Sequence, residues 1–415
     1  MNMHIHDQEL FDLISTESKR QKDTITLIPS ENYCSREVLD AVGSILTNKY
    51  AEGYPKRRYY NGTSVIDQVE QLAIDRAKKL FGVPHVNVQP YSGSPANSAI
   101  YMALMQQGDT LMGLKLSGGG HLTHGHSVTF SGKYFRAVQY DVEKDGSIDL
   151  EKVSDLALQE KPKIIVVGTT AYPLIFDWKK WREIADAVGA VLVADISHIV
   201  GLVIGGVHPS PVPYVDVIMT TTHKTLRGPR GAMILVTDRG LSKDPDMGEK
   251  IDKAVFPGLQ GGPHENVVAG IAVALQEAGT KEFRAYAEQI VKNAKALAST
   301  LTARGMNLVT GGTQNHLIVC DLRSYEKSGS EVANALEEIG IIVNKNSIPH
   351  DSASPFKPSG IRLGTPAVTS RGMKEKEMEI IGNTIVSLIL SHNCAIISPV
   401  VHQLCTQFPI PLSYD

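Results

Sequence analysis

The sequence predicts an α/β protein, with a mostly parallel, helix-covered sheet in a large domain and a smaller α/β domain after it. From about residue 65 to 270, helical patterns alternate with short runs of β-branched residues, as in strands joined by crossover helices. A chain of 415 residues also exceeds what one hydrophobic core usually serves. We expect an N-terminal arm over residues 1–45, a large domain over 46–275 and a small C-terminal domain over 276–415.

The individual elements follow from local patterns. Residues 65–82 carry apolar side chains at helical spacing and end in a glycine, which favours a helix. Strands are predicted at 109–115, 163–169, 190–197, 215–221 and 232–238, with a crossover helix at 181–189. A long helical stretch with a break is predicted over 267–305, followed by strands at 315–322 and 341–345 around a helix at 330–340. Because ligands of such sheets bind at the carboxyl ends of strands, the site is expected there.

The composition excludes several classes of function. The formal charge is −3, from 41 basic and 44 acidic residues, and no block of like charge occurs. This favours a small-molecule substrate over nucleic acid or a membrane surface. The four cysteines, Cys34, Cys320, Cys394 and Cys405, lie far apart, which predicts reduced thiols and no metal site. With no signal or transit peptide pattern and no bilayer-length apolar run, we expect a cytoplasmic protein.

Lys224 is the strongest candidate for a catalytic residue. It follows an apolar strand pattern, three threonines and His223, and a basic turn comes after it. A lysine at a strand end, flanked by hydroxyl groups and a histidine, is well placed to form a Schiff base with an aldehyde cofactor. An isolated lysine in a loop would more often be solvated, so the interpretation depends on the other parts of the chain.

Two further segments supply such parts. Ser92, Gly93 and Ser94 precede a helical pattern, where hydroxyls and free backbone N–H groups suit a phosphate, although these residues are also good helix caps. Asp195 closes a predicted buried strand and is followed by His198. Its charge could keep a pyridine nitrogen protonated, or the aspartate could simply cap a helix.

Three more segments contain candidate site residues. The glycine-rich stretch at 117–126 holds three histidines, which could bind a metal, but no carboxylate or cysteine completes the set. His121 could instead stack on a flat cofactor. Arg362 lies in a short β-like run between glycines and could bind a carboxylate with two hydrogen bonds, or form an ordinary surface ion pair. The loop at 47–62 is rich in tyrosines and charges, which is typical of an interface or a site.

Taken together, these segments resemble the serine hydroxymethyltransferase family, which are fold-type I pyridoxal phosphate enzymes with a seven-stranded, mostly parallel sheet. The resemblance covers nearly the whole chain. Its most specific strings, in chain order, are KYAEGYP, SGSPAN, GGHLTHG, DISHIVGL, TTTHKTLRGPRG, FPGLQGGP and SGIRLGTPA.

The resemblance implies a role for each matching residue. Lys224 would form the imine with pyridoxal 5′-phosphate, Asp195 would pair with the ring nitrogen, His121 would stack on the ring, and Thr170 and His198 would lie near its edge. The phosphate would be held by Ser92, Gly93, Ser94 and His223, with Gly261 and Gly262 of a neighbouring subunit. The substrate carboxylate would be bound by Ser30 and Arg362, with Tyr60 of the partner, and Tyr50 and Glu52 would also come from the partner. The folate site would be lined by Leu116, Gly120, Leu122 and Asn346.

The implied reaction is reversible transfer of the hydroxymethyl group of L-serine to tetrahydrofolate, giving glycine and 5,10-methylenetetrahydrofolate, in a homodimer or a tetramer. Glu52 would move the proton between the serine hydroxyl and the folate-bound carbon. Five positions depart from the family's usual residues: Asn61, Ser64, Gly118, Thr170 and Asn266. Two other functions stay open: a folate-independent β-hydroxy amino acid aldolase or α-methylserine-type transferase on the same scaffold, and a catalytically silent binding protein.

Overall fold

The computed structural model describes residues 7–391 and 394–411. Its α-helices are α1 Gln8–Asp23, α2 Arg36–Val42, α3 Ser64–Phe81, α4 Gly93–Leu104, α5 Phe130–Tyr134, α6 Leu150–Glu160, α7 Trp178–Val188, α8 Val200–Ile204, α9 Asp238–Lys243, α10 Met247–Lys253, α11 Glu265–Ala278, α12 Lys281–Ala303, α13 Gly329–Glu338, α14 Pro366–Ser370, α15 Glu375–Ser391 and α16 Cys394–Gln407. Its strands are β1 Ile25–Thr26, β2 Gly53–Tyr54, β3 Arg57–Arg58, β4 His85–Asn87, β5 Thr110–Leu114, β6 Arg136–Tyr140, β7 Ile164–Gly168, β8 Val191–Asp195, β9 Val217–Thr221, β10 Ala232–Val236, β11 Asn307–Leu308, β12 Leu317–Asp321, β13 Ile341–Ile342, β14 Asn344–Asn346 and β15 Gly360–Gly364.

The largest sheet has seven strands in the order β4-β10-β9-β8-β7-β5-β6. Strand β10 runs antiparallel to both of its neighbours, and the pairs from β9 to β6 are all parallel. Residues of β7, β8, β9 and β10 are buried throughout, as expected for central strands covered on both faces. This confirms the predicted α/β class with a mostly parallel sheet.

Each of the five predicted strands of this sheet forms within the predicted segment, and the two end strands, β4 and β6, were not predicted. Helix α7 spans the predicted crossover and ends at Gly189, whose φ of 68° is the left-handed conformation that glycine adopts without strain. Helix α3 ends in the same way at Gly82. The long helical stretch is broken, as predicted, between α11 and α12 at Gly279 and Thr280.

A second sheet of four antiparallel strands, in the order β11-β12-β15-β14, lies in the C-terminal part. Its core includes Leu297, Ile318, Ile361 and Ile381, and also Ile25 from the N-terminal segment, because β1 pairs with β13. Helix α12 packs its first half against the core of the large sheet and its second half against this second core. The division into an arm, a large domain and a small domain remains a prediction.

Candidate active site

The site forms where parallel neighbouring strands end on the same edge of the large sheet. Asp195 is the last residue of β8, and Thr221 is the last residue of β9, which pairs with β8. Lys224 follows three residues later, and its Nζ donates a hydrogen bond to Oγ1 of Thr221 at 2.8 Å. The predicted lysine and aspartate are therefore brought to one edge of the sheet.

Lys224 is half-buried, and its environment raises the fraction of neutral amine above that of an ordinary lysine. Burial lowers the pKa of Lys224 to about 8, against the attraction of the Asp195 carboxylate, with Arg362 and Arg230 acting in the same direction as burial. A lysine whose pKa lies near neutrality has a substantial fraction of free amine, which is the form that attacks an aldehyde.

Asp195 is buried and stays ionised. Its Oδ2 accepts hydrogen bonds from Nε2 of His124 at 3.0 Å and Nδ2 of Asn97 at 3.2 Å, and its Oδ1 accepts from Oγ of Ser197 at 2.6 Å. Burial alone would raise the pKa of Asp195, but the hydrogen bond and charge of His124 hold it well below its usual range. A buried, permanently charged carboxylate at this edge is suited to a cationic ring nitrogen.

His121 is oriented by a short chain of hydrogen bonds. Its Nδ1 accepts from the backbone N–H of Thr123 at 3.2 Å and lies 2.7 Å from Oγ1 of the same residue, and this Oγ1 accepts from Nδ2 of Asn97 at 2.9 Å. Burial, and then the charge on His124, lower the pKa of His121 to about 4. A neutral, fixed imidazole ring is suited to stacking on an aromatic ligand.

His198 contacts a second histidine that sequence reasoning did not single out. Its Nδ1 lies 3.3 Å from Nε2 of His316, in the segment that leads into β12, and both rings are buried. Burial, together with the charges of Lys224 and Arg362, lowers the pKa of His198 well below its usual value. Burial lowers the pKa of His316 to about 3 as well, so both rings are neutral and one donates to the other.

Arg362 joins the second sheet to the first. It lies in β15, where its Nε donates to Oδ1 of Asn344 at 3.1 Å and its Nη1 donates to the backbone oxygen of Thr170. Thr170 in turn donates from its backbone N–H to the carbonyl of Gly119 at 2.7 Å and from its Oγ1 to the carbonyl of Gly120 at 3.1 Å. Arg362 is buried rather than part of a surface ion pair, and burial lowers its pKa to about 10.

The residues predicted to hold a phosphate have free polar groups. Ser92 is the N-cap of α4, but its side chain makes no capping hydrogen bond, so the first N–H groups of that helix are available. Gly93 packs so closely on Thr221 that an added Cβ would lie 2.8 Å from its Cγ2. The Nδ1 atom of His223 is buried without a hydrogen-bond partner among the described residues. These features fit a bound phosphate at a helix N-terminus.

Pyridoxal phosphate thus fits the residues present. Its aldehyde matches the Lys224 amine with its lowered pKa, and its ring nitrogen matches the buried carboxylate of Asp195. Its ring face matches the neutral imidazole of His121, and its phosphate matches the N-terminus of α4 and the unpartnered nitrogen of His223. Ser30, also predicted to bind substrate, lies in the turn before Asn32, whose Nδ2 donates to the carbonyl of Lys224 at 2.9 Å.

The residues predicted to come from a partner subunit form a separate cluster in this chain. The hydroxyl of Tyr50 lies 3.4 Å from Oε1 of Glu52, and the rings of Tyr50 and Tyr60 lie 5.2 Å apart. A Cβ added at Gly261 would lie 3.3 Å from Oε1 of Glu52, and one added at Gly262 would lie 3.2 Å from the Tyr50 ring. Both glycines therefore pack on this pair. Within the described part of the chain, neither Tyr50 nor Glu52 forms a hydrogen bond with Lys224.

Contacts among the four predicted folate-site residues are less evident than those around Lys224 and Asp195. Leu116 and Leu122 are each 40% exposed on the glycine-rich loop, whereas Gly120 is buried with no room for a side chain beside the Leu114 carbonyl. Asn346 ends β14, and its side chain bonds the neighbouring carbonyl of Ser347 at 2.5 Å.

The departures from the family pattern are accommodated by local contacts. Nδ2 of Asn266 donates to the carbonyl of Val42 at 2.8 Å, and the carbonyl of Asn61 accepts from Nζ of Lys49 at 2.9 Å. A Cβ at Gly118 would lie 2.7 Å from Oδ1 of Asp141, so a larger residue there needs that side chain to move. Ser64 is the first residue of α3, and the hydroxyl of Thr170 donates to the carbonyl of Gly120.

Other sequence expectations concern thiols, metals and membranes. Cys34, Cys320 and Cys405 are free thiols, and the side chain of Cys394 lies outside the described residues. Among residues 7–391 and 394–411, no group of three or more histidine, cysteine or acidic side chains is placed to hold a metal ion. Within the same residues, no helix has the length and apolar character needed to cross a membrane.

Comparison with known proteins identifies the family. The serine hydroxymethyltransferase family model matches residues 3–385. A serine hydroxymethyltransferase of Desulfotalea psychrophila is 54% identical over 409 residues, covering 98% of this chain and 95% of that protein. Those of Acidothermus cellulolyticus and Sorangium cellulosum are 59% and 56% identical, covering 90% and 98% of this chain and 86% and 95% of those proteins. The chain belongs to the serine hydroxymethyltransferase family, which confirms the resemblance and the transferase class predicted from the sequence.

Proposed function

We propose that this member of the family transfers the hydroxymethyl group of L-serine reversibly to tetrahydrofolate, using pyridoxal 5′-phosphate bound at Lys224. The observation that carries the proposal is the convergence of Lys224 and Asp195 at adjacent strand ends, one with a lowered pKa and the other permanently ionised. Family membership and the fit of the pocket to the cofactor support it.

The geometry supports a set of cofactor-binding residues. Ser92, Gly93 and Ser94 at the start of α4 would hold the phosphate, and the unpartnered nitrogen of His223 would complete that contact. Asp195 would keep the ring nitrogen protonated. When bound, pyridoxal phosphate supplies an electron sink for the bond broken at the α-carbon.

Substrate orientation would depend on β15, which lies inside the second sheet between β12 and β14. Arg362 would bind the serine carboxylate with its guanidinium, whose plane is oriented by Asn344 and the Thr170 carbonyl. Ser30 comes two residues before Asn32, whose Nδ2 donates to the backbone carbonyl of Lys224. A carboxylate held by Arg362 would restrict the orientation of the α-carbon and so limit which of its bonds is aligned for cleavage.

Glu52 would move the proton between the serine hydroxyl and the folate-bound carbon. Because Tyr50, Glu52, Tyr60, Gly261 and Gly262 form their own partly exposed cluster, we propose that they complete the site of a second copy, which makes the functional unit a homodimer. The folate would lie between Leu116, Leu122 and Asn346, two of which expose apolar surface. The free thiols support a reducing, cytoplasmic location.

Two experiments test the proposal. Serine cleavage by the purified protein should depend on tetrahydrofolate, and equal turnover without it, with rapid cleavage of threonine-type substrates, would favour the aldolase instead. The Lys224→Ala variant should fold but fail to retain the cofactor covalently after borohydride treatment, as judged by mass spectrometry. A variant that retained the label would refute the assignment of Lys224.

A further inference from the structure

Arg58 holds the backbone around Glu52 from both sides. It lies in the β2–β3 hairpin, its side chain is 2% exposed, and its Nη1 donates to the carbonyl of Ala51 at 2.8 Å and of Gly53 at 3.0 Å. The carbonyl of Glu52 itself accepts from the N–H of Tyr59 at 3.0 Å. Three consecutive carbonyls are thus fixed by the same hairpin.

The guanidinium is itself held by α3. Its Nη2 donates to Oε2 of Glu70 at 2.7 Å, and its Nε donates to Oδ1 of Asp67 at 2.9 Å. Nε2 of Gln89, just before the Ser92 turn, bonds both Oε1 of Glu70 at 2.8 Å and the carbonyl of Gly53 at 2.9 Å. A planar guanidinium whose three nitrogens all donate in this way allows little movement of the hairpin.

The cluster also reaches the loop that packs on Glu52. Glu265, the first residue of α11, has Oε1 3.7 Å from Nη1 of Arg58, and its helix begins directly after the Gly261–Gly262 loop. Both of its carboxyl oxygens are buried without a hydrogen-bond partner among the described residues. Burial and the charge of the neighbouring Glu70 raise the pKa of Glu265, which favours its neutral form, against the attraction of Arg58.

We propose that Arg58 is a positioning residue: with Glu70 and Glu265, it holds Glu52 in register with the Gly261–Gly262 loop. This inference rests on the proposed proton-transfer role of Glu52. Among the described residues, the Arg58 guanidinium bonds hairpin carbonyls and buried carboxyl groups and none of the residues assigned to the reaction, so its effect on the reaction passes through the Glu52 backbone.

The matched variants are Arg58→Lys and Arg57→Lys, since Arg57 is the exposed neighbour in the same strand. A lysine keeps the charge but cannot bond both carbonyls and both carboxylates. We expect Arg58→Lys to lower kcat of folate-dependent serine turnover roughly ten- to a hundredfold with the serine KM changed less than about threefold. Arg57→Lys should match the unaltered protein.

A double-mutant cycle separates positioning from general damage. In a Glu52→Gln background, Arg58→Lys should cause little further loss, because the group it positions is already absent. An equal loss in both backgrounds, or loss of serine binding, would overturn the proposal. If Glu52→Gln itself leaves folate-dependent turnover intact, the proposed role of Glu52 fails instead.

Hydrogen exchange of the holoenzyme gives a readout that does not involve turnover. The amide of Tyr59 should exchange faster in Arg58→Lys than in Arg57→Lys, while amides of β7 and β8 stay protected. If Arg58→Lys does not fold, Glu70→Gln is the second variant, and we expect the same pattern from it. A glutamine at position 70 keeps an oxygen that can accept from Gln89 but loses the charge that pairs with Arg58. Unchanged Tyr59 exchange with a fully folded variant would contradict the inference.

Discussion

His124 and Asp195 lie 3.0 Å apart, Nε2 to Oδ2, although 71 residues separate them in the chain. His124 comes from the glycine-rich loop that also carries His121, so one loop holds both the predicted stacking ring and the group that lowers the pKa of the Asp195 carboxyl. The pairing of His124 with Asp195 had no local signal in the sequence.

Replacing His124 tests this pairing. His124→Phe removes a donor from a buried carboxylate, and we expect the free energy of unfolding of the cofactor-free protein to fall by about 1–3 kcal/mol. His124→Gln retains a donor and should recover part of the loss. Chemical denaturation followed by circular dichroism measures both. Equal stability of the phenylalanine variant and the unaltered protein would show that the bond contributes nothing.

The lowered pKa of Lys224 predicts how cofactor loading depends on pH. The neutral amine is the reactive form, so the rate of covalent incorporation should rise with pH and level off above about 8. The Asp195 charge acts in the opposite direction to burial, so Asp195→Asn should move the inflection to lower pH. Borohydride trapping over a pH series provides the measurement. An inflection near the usual lysine value would contradict the burial of the amine.

Arg362 should control the affinity for the amino acid. Arg362→Lys loses the planar pair of donors, and we expect serine binding to weaken roughly ten- to a hundredfold. The exposed arginine of a surface pair, Arg323 with Asp321, provides the control, and Arg323→Lys should leave binding unchanged. Titration of the holoenzyme with serine compares the two. Equal affinities would remove Arg362 from the carboxylate site.

Glu265 predicts a pH dependence of stability. Burial and the neighbouring Glu70 raise the pKa of Glu265 above its ordinary value of 4.5, so the folded state binds the proton more tightly than the unfolded chain does. The stability that this group contributes is present below pH 4.5 and is lost as the pH rises through the folded value. Glu265→Gln cannot ionise, and its unfolding free energy should fall less between about pH 5 and 8 than that of the unaltered protein. If the unfolding free energies of the two proteins fell equally over this range, Glu265 would not hold a proton in the folded state.

Much of the fold was predictable from local patterns. The β-branched runs that became β7, β8 and β9 are long and fully buried, so their composition alone indicates strands. β4 has only three residues, and β6 carries Arg136 and Gln139 at the sheet edge, so neither had a clear apolar pattern. Lys224, Asp195 and the Ser92 turn could be predicted as site residues because each lies at or just after a strand end or at a helix start.

Strand and helix signals depend on neighbouring residues in the chain, so local patterns were enough to predict the strand ends and the residue types of a pyridoxal phosphate site. The partners of those residues became known from the three-dimensional fold: His124 with Asp195, His316 with His198, and Arg58 with Glu70 and Glu265. Hydrogen bonds and burial set pKa values and orientations, and they act across space between elements whose separation in sequence carries no local signal.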